Sequence, residues 1–316
     1  MNKTETVRKG RARIGNSAWR NYFVKNYDLY LMVLPGLLYY LIFHYAPMVG
    51  VQIAFKNYIP SKGIWGSEWV GLKHFARFFK SFQCWSLIEN TVWISVYTLL
   101  VSTPVAIVLA LMLNEVRHSR YKKTVQMVTY APHFISTIVL VALMQVFFGQ
   151  STGFVNNLRE AMGFSRVSFL GEPQYFRHMF VWSDVWQNTG WNSIIYISAL
   201  ASISPELHEA ANVEGASKLQ RIIHIDLPHI LPTMIILLIL GVGRVLSVGF
   251  EKVFLMQNAQ NLQVSQVIST YVYDIGLLSN QYSYSTAVGL FNSVVTLVIL
   301  LAVNRLAKRF GDVSLW

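Results

Sequence analysis

Runs of apolar side chains recur along this 316-residue chain, each close to the ~20 residues a helix needs to cross a hydrocarbon core. Nothing else in the sequence restricts the possible folds as sharply. In lipid no water is available to satisfy a free N–H or C=O, so a spanning segment must close its own hydrogen bonds. Runs of this length do that as helices. The runs lie at about 29–52, 87–113, 125–148, 176–200, 233–256 and 285–306. Only 13% of the residues are charged and 53% are hydrophobic, against about 25% charged in an ordinary soluble domain. The expectation is an all-α, multi-pass protein of the cell membrane with six transmembrane helices.

The net charge of +11 would suit a nucleic-acid partner if it were gathered on one soluble surface. It is distributed by topology instead. Sixteen Lys and Arg fall in the tail before the first run, the link 114–124, the loop 204–232 and the end of the chain from Arg305 onward. Only seven fall in the loops 53–86, 149–174 and 257–284. Cytoplasmic loops carry the excess of basic residues, so both termini are expected in the cytoplasm and no nucleic acid is needed. The first tail alone holds Lys3, Arg8, Lys9, Arg11, Arg13, Arg20 and Lys25, which also suits anionic lipid.

The loops and spans carry local signals. Trp69, Phe75, Phe78 and Phe79 have the spacing of a short amphipathic helix, able to lie in the interface, dock on a partner or pack on the chain's own spans. Pro132 and His133 stand near the start of the third span. The fourth holds Trp182, Asp184, Trp186, Gln187, Asn188, Trp191 and Asn192, the mixture of flat rings and amides that binds sugars. Asn188 and Asn192 are one helical turn apart, and Arg244 and Glu251, seven apart, share a face of the fifth span. An arginine at mid-bilayer costs about 2.5–3.5 kcal/mol on insertion scales, so it needs a partner or a wet cavity. Trp186, Asn188, Asn192, Arg244 and Glu251 are the candidate substrate pathway.

Covalent chemistry finds little support. Cys84 is the only cysteine, which excludes an intrachain disulfide and a cysteine metal cluster. No phosphate-binding G-x-x-x-x-G-K-[ST], H-E-x-x-H or G-x-S-x-G occurs. His208, His224 and His229 share one loop but no helical face, so no metal site is expected.

The loop 204–232 reads S-P-E-L-H-E-A-A-N-V-E-G-A-S-K-L-Q-R-I-I-H-I-D-L-P-H-I-L-P. Ser204 suits a helix N-cap and Pro205 the first helical position. Glu206 and Glu209 meet the positive end of the helix dipole. Gly215 breaks the helix, Ala216–Ile225 resumes as a second short one, and Pro228 and Pro232 bracket entry into the next span. Two short helices joined at a glycine make a compact knob.

Within that knob Glu209-Ala210-Ala211, then Gly215-Ala216, then Ile225-x-Leu227-Pro228 fill every specified position of the cytoplasmic "EAA" loop of ABC importer permeases, which the chain resembles. More narrowly it is similar to the binding-protein-dependent carbohydrate permeases of the maltose type, in the branch that imports pectin- and alginate-derived oligosaccharides. That likeness rests on Y-D-L-Y-L-M-V-L-P-G-L-L-Y-Y-L-I-F-H-Y-A-P-M-V-G-V-Q-I-A-F-K-N-Y, W-V-G-L-K-H-F and the final K-R-F-G-D-V-S-L-W. It lacks the eight spans and large outer domain of the maltose subunit.

The resemblance implies a type I importer permease fold with 1–28 a basic cytoplasmic tail and 29–86 the first transmembrane helix and extracellular loop. Residues 87–306 are then the core of five helices with its coupling loop, and 307–316 a cytoplasmic tail. It implies that Glu209, Ala210, Ala211, Gly215, Ala216, Ile225, Leu227 and Pro228 couple the chain to an ATPase. The partners implied are a second homologous permease, two copies of a cytoplasmic ATPase, an extracellular solute-binding lipoprotein, membrane lipid and an oligosaccharide. The chain itself would be no enzyme and hold no cofactor, ATP and Mg being bound by the ATPase. A permease for another solute and a gradient-driven secondary transporter remain the alternatives.

Overall fold

The structure, a computed structural model, describes residues 25–243, 245–246 and 248–311. The basic tail up to Arg20, and Arg244 of the candidate pathway, therefore lie outside the described residues. The contacts separate two units, Met1–Gln52 and Ile53–Trp316.

In the first unit, helix α1 (Tyr27–Tyr40) continues through a π-turn (Leu41–Tyr45) into 3₁₀ turns (Ala46–Phe55). Pro47 has no N–H to give an α-helical ladder, and the widened turn stands directly before it. None of the side chains of α1 is buried, although it is apolar on every face. A helix of that kind is stable in lipid rather than in water.

The second unit opens with two short antiparallel strands, β1 (Lys56–Asn57) and β2 (Glu68–Trp69), and then α2 (Lys73–Lys80). Phe78 and Phe79 of α2 lie 5.5 and 5.2 Å from the ring of Phe291. The amphipathic helix thus packs on the chain's own last span. Helix α3 (Gln83–Glu115) follows, 33 residues long.

The expected third span is corrected: it is two helices. Segment Ser119–Phe134, which opens with α4 (Ser119–Tyr130), meets α5 (Thr137–Phe148) at 103°. Pro132 withdraws a donor, Ile135 and Ser136 are extended, and the Ser136 hydroxyl caps α5 by accepting from the Val139 N–H. After α6 (Phe154–Ala161) comes α7 (Pro173–Leu200). Its buried residues include Phe176, Phe180 and Val185 in the first half and Ser193, Tyr196 and Leu200 in the second, so it is packed along its whole length. Phe176, Phe180 and Val185 meet Ile94 of α3 and Leu140, Val141 and Met144 of α5 in the main apolar cluster.

The loop region holds α8 (Pro205–Val213) and α9 (Lys218–Arg221). Here too the sequence expectation is corrected. The second helix of the loop is no separate piece, because a π-turn (Ile222–Asp226) joins it to α10 (Leu227–Val242) as one helical segment, Lys218–Val242. The widened turn precedes Pro228, which can donate no bond back along the helix. The fifth span also ends earlier than its apolar run suggests. The described residues Gly243, Val245, Leu246, Val248 and Gly249 are not helical, and α11 (Phe250–Met256) starts anew.

A four-residue turn, Leu262–Ser265, α12 (Ile268–Tyr273) and α13 (Tyr282–Gly311) complete the chain. Among the described residues, four helices are long and apolar enough to span a membrane, or five if the bent pair is one span. Helix α7 is long enough, yet its polar side chains keep it out of that set. The protein is a multi-pass, largely helical membrane protein.

Candidate functional site

Between α3, the break 131–136, α7, α10 and α11 lies a cavity of about 840 Å³, inside the range of small-molecule sites. Its polar groups come from different elements and for different local reasons. Ser95, Thr98, Ser102 and Thr103 follow one another on α3 at i, i+3, i+7 and i+8, one helical face turned to the cavity. His133 and Ser136 reach it because the bend at Pro132 turns the backbone there. Asp184, Gln187, Asn188 and Asn192 come from α7, and Glu251 and Lys252 from the first turn of α11.

These groups form a connected relay. The Lys252 ammonium donates to the Phe180 carbonyl at 3.0 Å, sits 4.6 Å above the Phe180 ring and lies 3.8 Å from Asp184. Asp184 accepts from the Asn188 amide N–H at 3.0 Å. Asn188 therefore turns its oxygen to His133 Nδ1, 2.9 Å away, so Nδ1 carries the proton. The His133 ring lies flat against Trp191, with centroids 4.5 Å apart and 7° between planes. Gln187 donates to the Ile135 carbonyl at 2.7 Å and so holds α7 to the break. Such walls offer amide and hydroxyl groups to a hydroxyl-rich ligand, with one ammonium already engaged by a carboxylate.

Of the expected pathway residues, Asn188, Asn192 and Glu251 line the cavity. Trp186 is half exposed and is not among its lining residues. Arg244 lies outside the described residues. Sequence reasoning passed over His133, the α3 hydroxyls and the role of Lys252. The period of Ser95, Thr98, Ser102 and Thr103 was the signal for the second of these.

The second feature is the loop at the far end of these helices. Ser204 stands at the N-cap of α8 with Pro205 at the first position, although the serine side chain makes no capping bond. Helix α8 stops at Gly215, whose φ of +80° disfavours any side chain. The Gly215 N–H reaches Asn212 O at 3.1 Å and the Ala216 N–H reaches Ala211 O at 2.9 Å, so a Schellman motif closes the end. Ser217 and Gln220 then exchange capping bonds to start α9.

Glu209 and Ala210 are exposed, as is Val213 at 89%. Ala211, Gly215, Ala216 and Ile225 line a groove of about 400 Å³ with Glu214, Gln220, Arg221 and His224. Leu227 packs against the apolar cluster around Ile230, and Pro228 is exposed. Beneath the loop, Asp226 is buried and lies 3.3 Å from His208. His229 meets Ser202, at the end of α7, at 3.2 Å. His208 and His229 are thus each paired with a group from another element, while His224 bonds the Gln220 carbonyl of its own helical segment. Among the described residues no group of three or more His, Cys, Asp or Glu could hold a metal.

Known proteins match this architecture. Residues 102–312 match the family model described as binding-protein-dependent transport system inner membrane component. Protein LplB of Bacillus subtilis (strain 168) is 44% identical, covering 95% of this chain and 94% of its own. From the same organism, the polygalacturonan/rhamnogalacturonan transport system permease protein YteP is 44% identical, with 91% and 90% covered. A crystal structure of a bacterial alginate ABC transporter, in complex with a periplasmic protein bound to alginate pentasaccharide, contains a chain 41% identical. The TM-score is 0.87, with 94% of this chain and 99% of that one covered. A polar cavity among membrane helices, a rigid protruding loop and these matches agree, and the chain belongs to the family of binding-protein-dependent transport system inner membrane components.

Proposed function

We propose that this chain is the permease subunit of an ATP-driven ABC importer for oligosaccharides, acidic ones of the pectin and alginate type included. In this reading it crosses the membrane six times with both termini in the cytoplasm. It pairs with a second homologous permease, receives substrate from a solute-binding lipoprotein outside, and is moved by two copies of a cytoplasmic ATPase. The chain itself makes and breaks no covalent bond.

One observation carries the reading. The protruding helix α8 is joined through α9 and the π-turn to the helical segment Lys218–Val242, whose other end lines the cavity at Leu237, Leu240 and Gly241. A push on the loop is therefore a push on the cavity wall. A ligand-dependent shift of this kind needs differential contacts in two states. The exposed Glu209–Ala210 face is suited to a groove on a partner, its small side chains permitting close approach. The substrate class is supported by the names of the relatives and by the amide- and hydroxyl-lined cavity.

The test is uptake by proteoliposomes holding the assembled complex, supplied with the binding protein and defined oligogalacturonides or alginate oligosaccharides. Uptake should require internal ATP. Uptake driven by an ion gradient without ATP would refute the reading, and uptake confined to peptides or phosphate would refute the substrate class.

A further inference from the structure

The protruding helix has a mechanical weakness that one side chain removes. Helix α8 is separated from α9 by Gly215, Ala216 and Ser217, with Gly215 in a left-handed conformation open on every side. An elbow built on such a residue would bend under load, and movement of α8 would be absorbed there. Arg221 spans the elbow. Its guanidinium bonds the Asn212 Oδ1 in the last turn of α8 and lies 3.7 Å from Glu115 Oε2, the final residue of α3. The side chain is only 11% exposed, on a loop where its neighbour Lys218 is 69% exposed.

Glu115 sharpens the point. A carboxylate at a helix C-terminus faces the negative end of the dipole and is disfavoured there. It is held by Arg221 at 3.7 Å and Lys218 at 4.0 Å. A planar fork holds two acceptors on two elements in one fixed geometry, whereas a lysine ammonium is a compact charge on a flexible stem. Helix α3 then carries the cavity hydroxyls Ser95, Thr98, Ser102 and Thr103.

We infer that Arg221 is a positioning residue that staples the elbow shut and passes movement of α8 into α3, so that the α3 wall of the cavity moves with the loop. This rests on the coupling role proposed above. Its consequence is that α8 drives two cavity walls, α10 by continuity of the helix and α3 by charge.

The experiment compares sugar taken up per ATP hydrolysed in the complete complex in proteoliposomes. Arg221→Lys keeps the charge and loses the fork. It should leave the ATPase co-purifying as in the wild type and lower the ratio at least about fivefold, the lower end of ordinary coupling energies. Asn212→Ala and Glu115→Gln should each lower it as well. Glu115→Gln combined with Arg221→Lys should be no worse than Arg221→Lys alone, because one path is cut twice. A wild-type ratio in Arg221→Lys, or additive losses in the double variant, overturns the inference. So does loss of ATPase co-purification in Arg221→Lys, which would make the residue part of docking. If the wild-type chain brings down no ATPase, the coupling reading itself fails. Intact ATP-dependent uptake with an indifferent Arg221 sinks only the staple.

Discussion

Gly190 is the position where one added carbon should cost most. It lies on α7 against the last turns of α4, and a Cβ placed there would stand 3.0 Å from Thr129 Cβ. It would be closer still to the Thr129 carbonyl carbon and oxygen, against 3.4–4 Å for ordinary contact. The obstacle is backbone and cannot rotate away, so the two helices must part by on the order of 1 Å, an overpacking cost of about 1–3 kcal/mol. The same displacement stretches the His133–Asn188 contact from 2.9 Å and the Gln187–Ile135 bond from 2.7 Å past hydrogen-bond range. Side-chain hydrogen bonds in membrane proteins average about 0.6 kcal/mol each, so Gly190→Ala should destabilise by roughly 2–4 kcal/mol in total.

Gly289→Ala is the control. It is also helical, but its Cβ meets nothing within 4 Å, and there the exchange should be neutral or stabilising by up to about 1 kcal/mol. Thermal unfolding of the purified protein in detergent measures both, and uptake by the assembled complex measures the cavity. A Gly190→Ala protein that melts and transports as the wild type would refute the close approach of α7 and the relay built on it.

Other consequences follow from particular contacts. Gly215→Pro forbids a φ of +80°, and either it or a bulky residue at Ala210 should leave the membrane helices folded by circular dichroism while abolishing uptake. Lys252→Met leaves Asp184 without its cation and should destabilise by about 1–3 kcal/mol, with the added Asp184→Asn recovering at least half of it in thermal melts. Burial holds the His74 pKa below its ordinary 6.5, with Lys73 and Arg77 adding to the fall and the bond to the Lys56 carbonyl opposing it. The unfolded state therefore takes up the proton first as pH drops through 6.5, and stability of the α2 segment falls from there downward. Protection factors of residues 73–80, in which the pH dependence of intrinsic exchange is divided out, should be lower at pH 5 than at pH 7, and His74→Gln should flatten the difference. Arg244→Gln, at normal expression, should reduce uptake of a uronate oligosaccharide more than that of a neutral one.

Much of this architecture was legible in the residues. The apolar runs locate α1, α3 and α13 because length and hydropathy are what lipid selects. Pro205 and Gly215 announce the ends of α8 because backbone chemistry alone decides there. The two breaks were not legible. A window of hydropathy averages over 131–136 and over the end of α10, and registers neither the bend at the first nor the stop at the second, although Pro132 stood in view. The cavity relay was half legible. Asn188 and Asn192 share a helical face, but the approach of His133 depends on the 103° bend. Asp226 and His208 meet only because the Schellman turn folds α8 back, a pairing that spacing along one helix cannot express.

The exposed end of α8 is the place proposed above for a separate ATPase to engage. A photo-crosslinking residue at Val213, 89% exposed at the tip, reports on it directly in the intact complex. The expected result is a crosslink to the ATPase subunit whose yield changes when ATP is bound. A crosslink to the solute-binding protein or to lipid, with none to the ATPase, would contradict it.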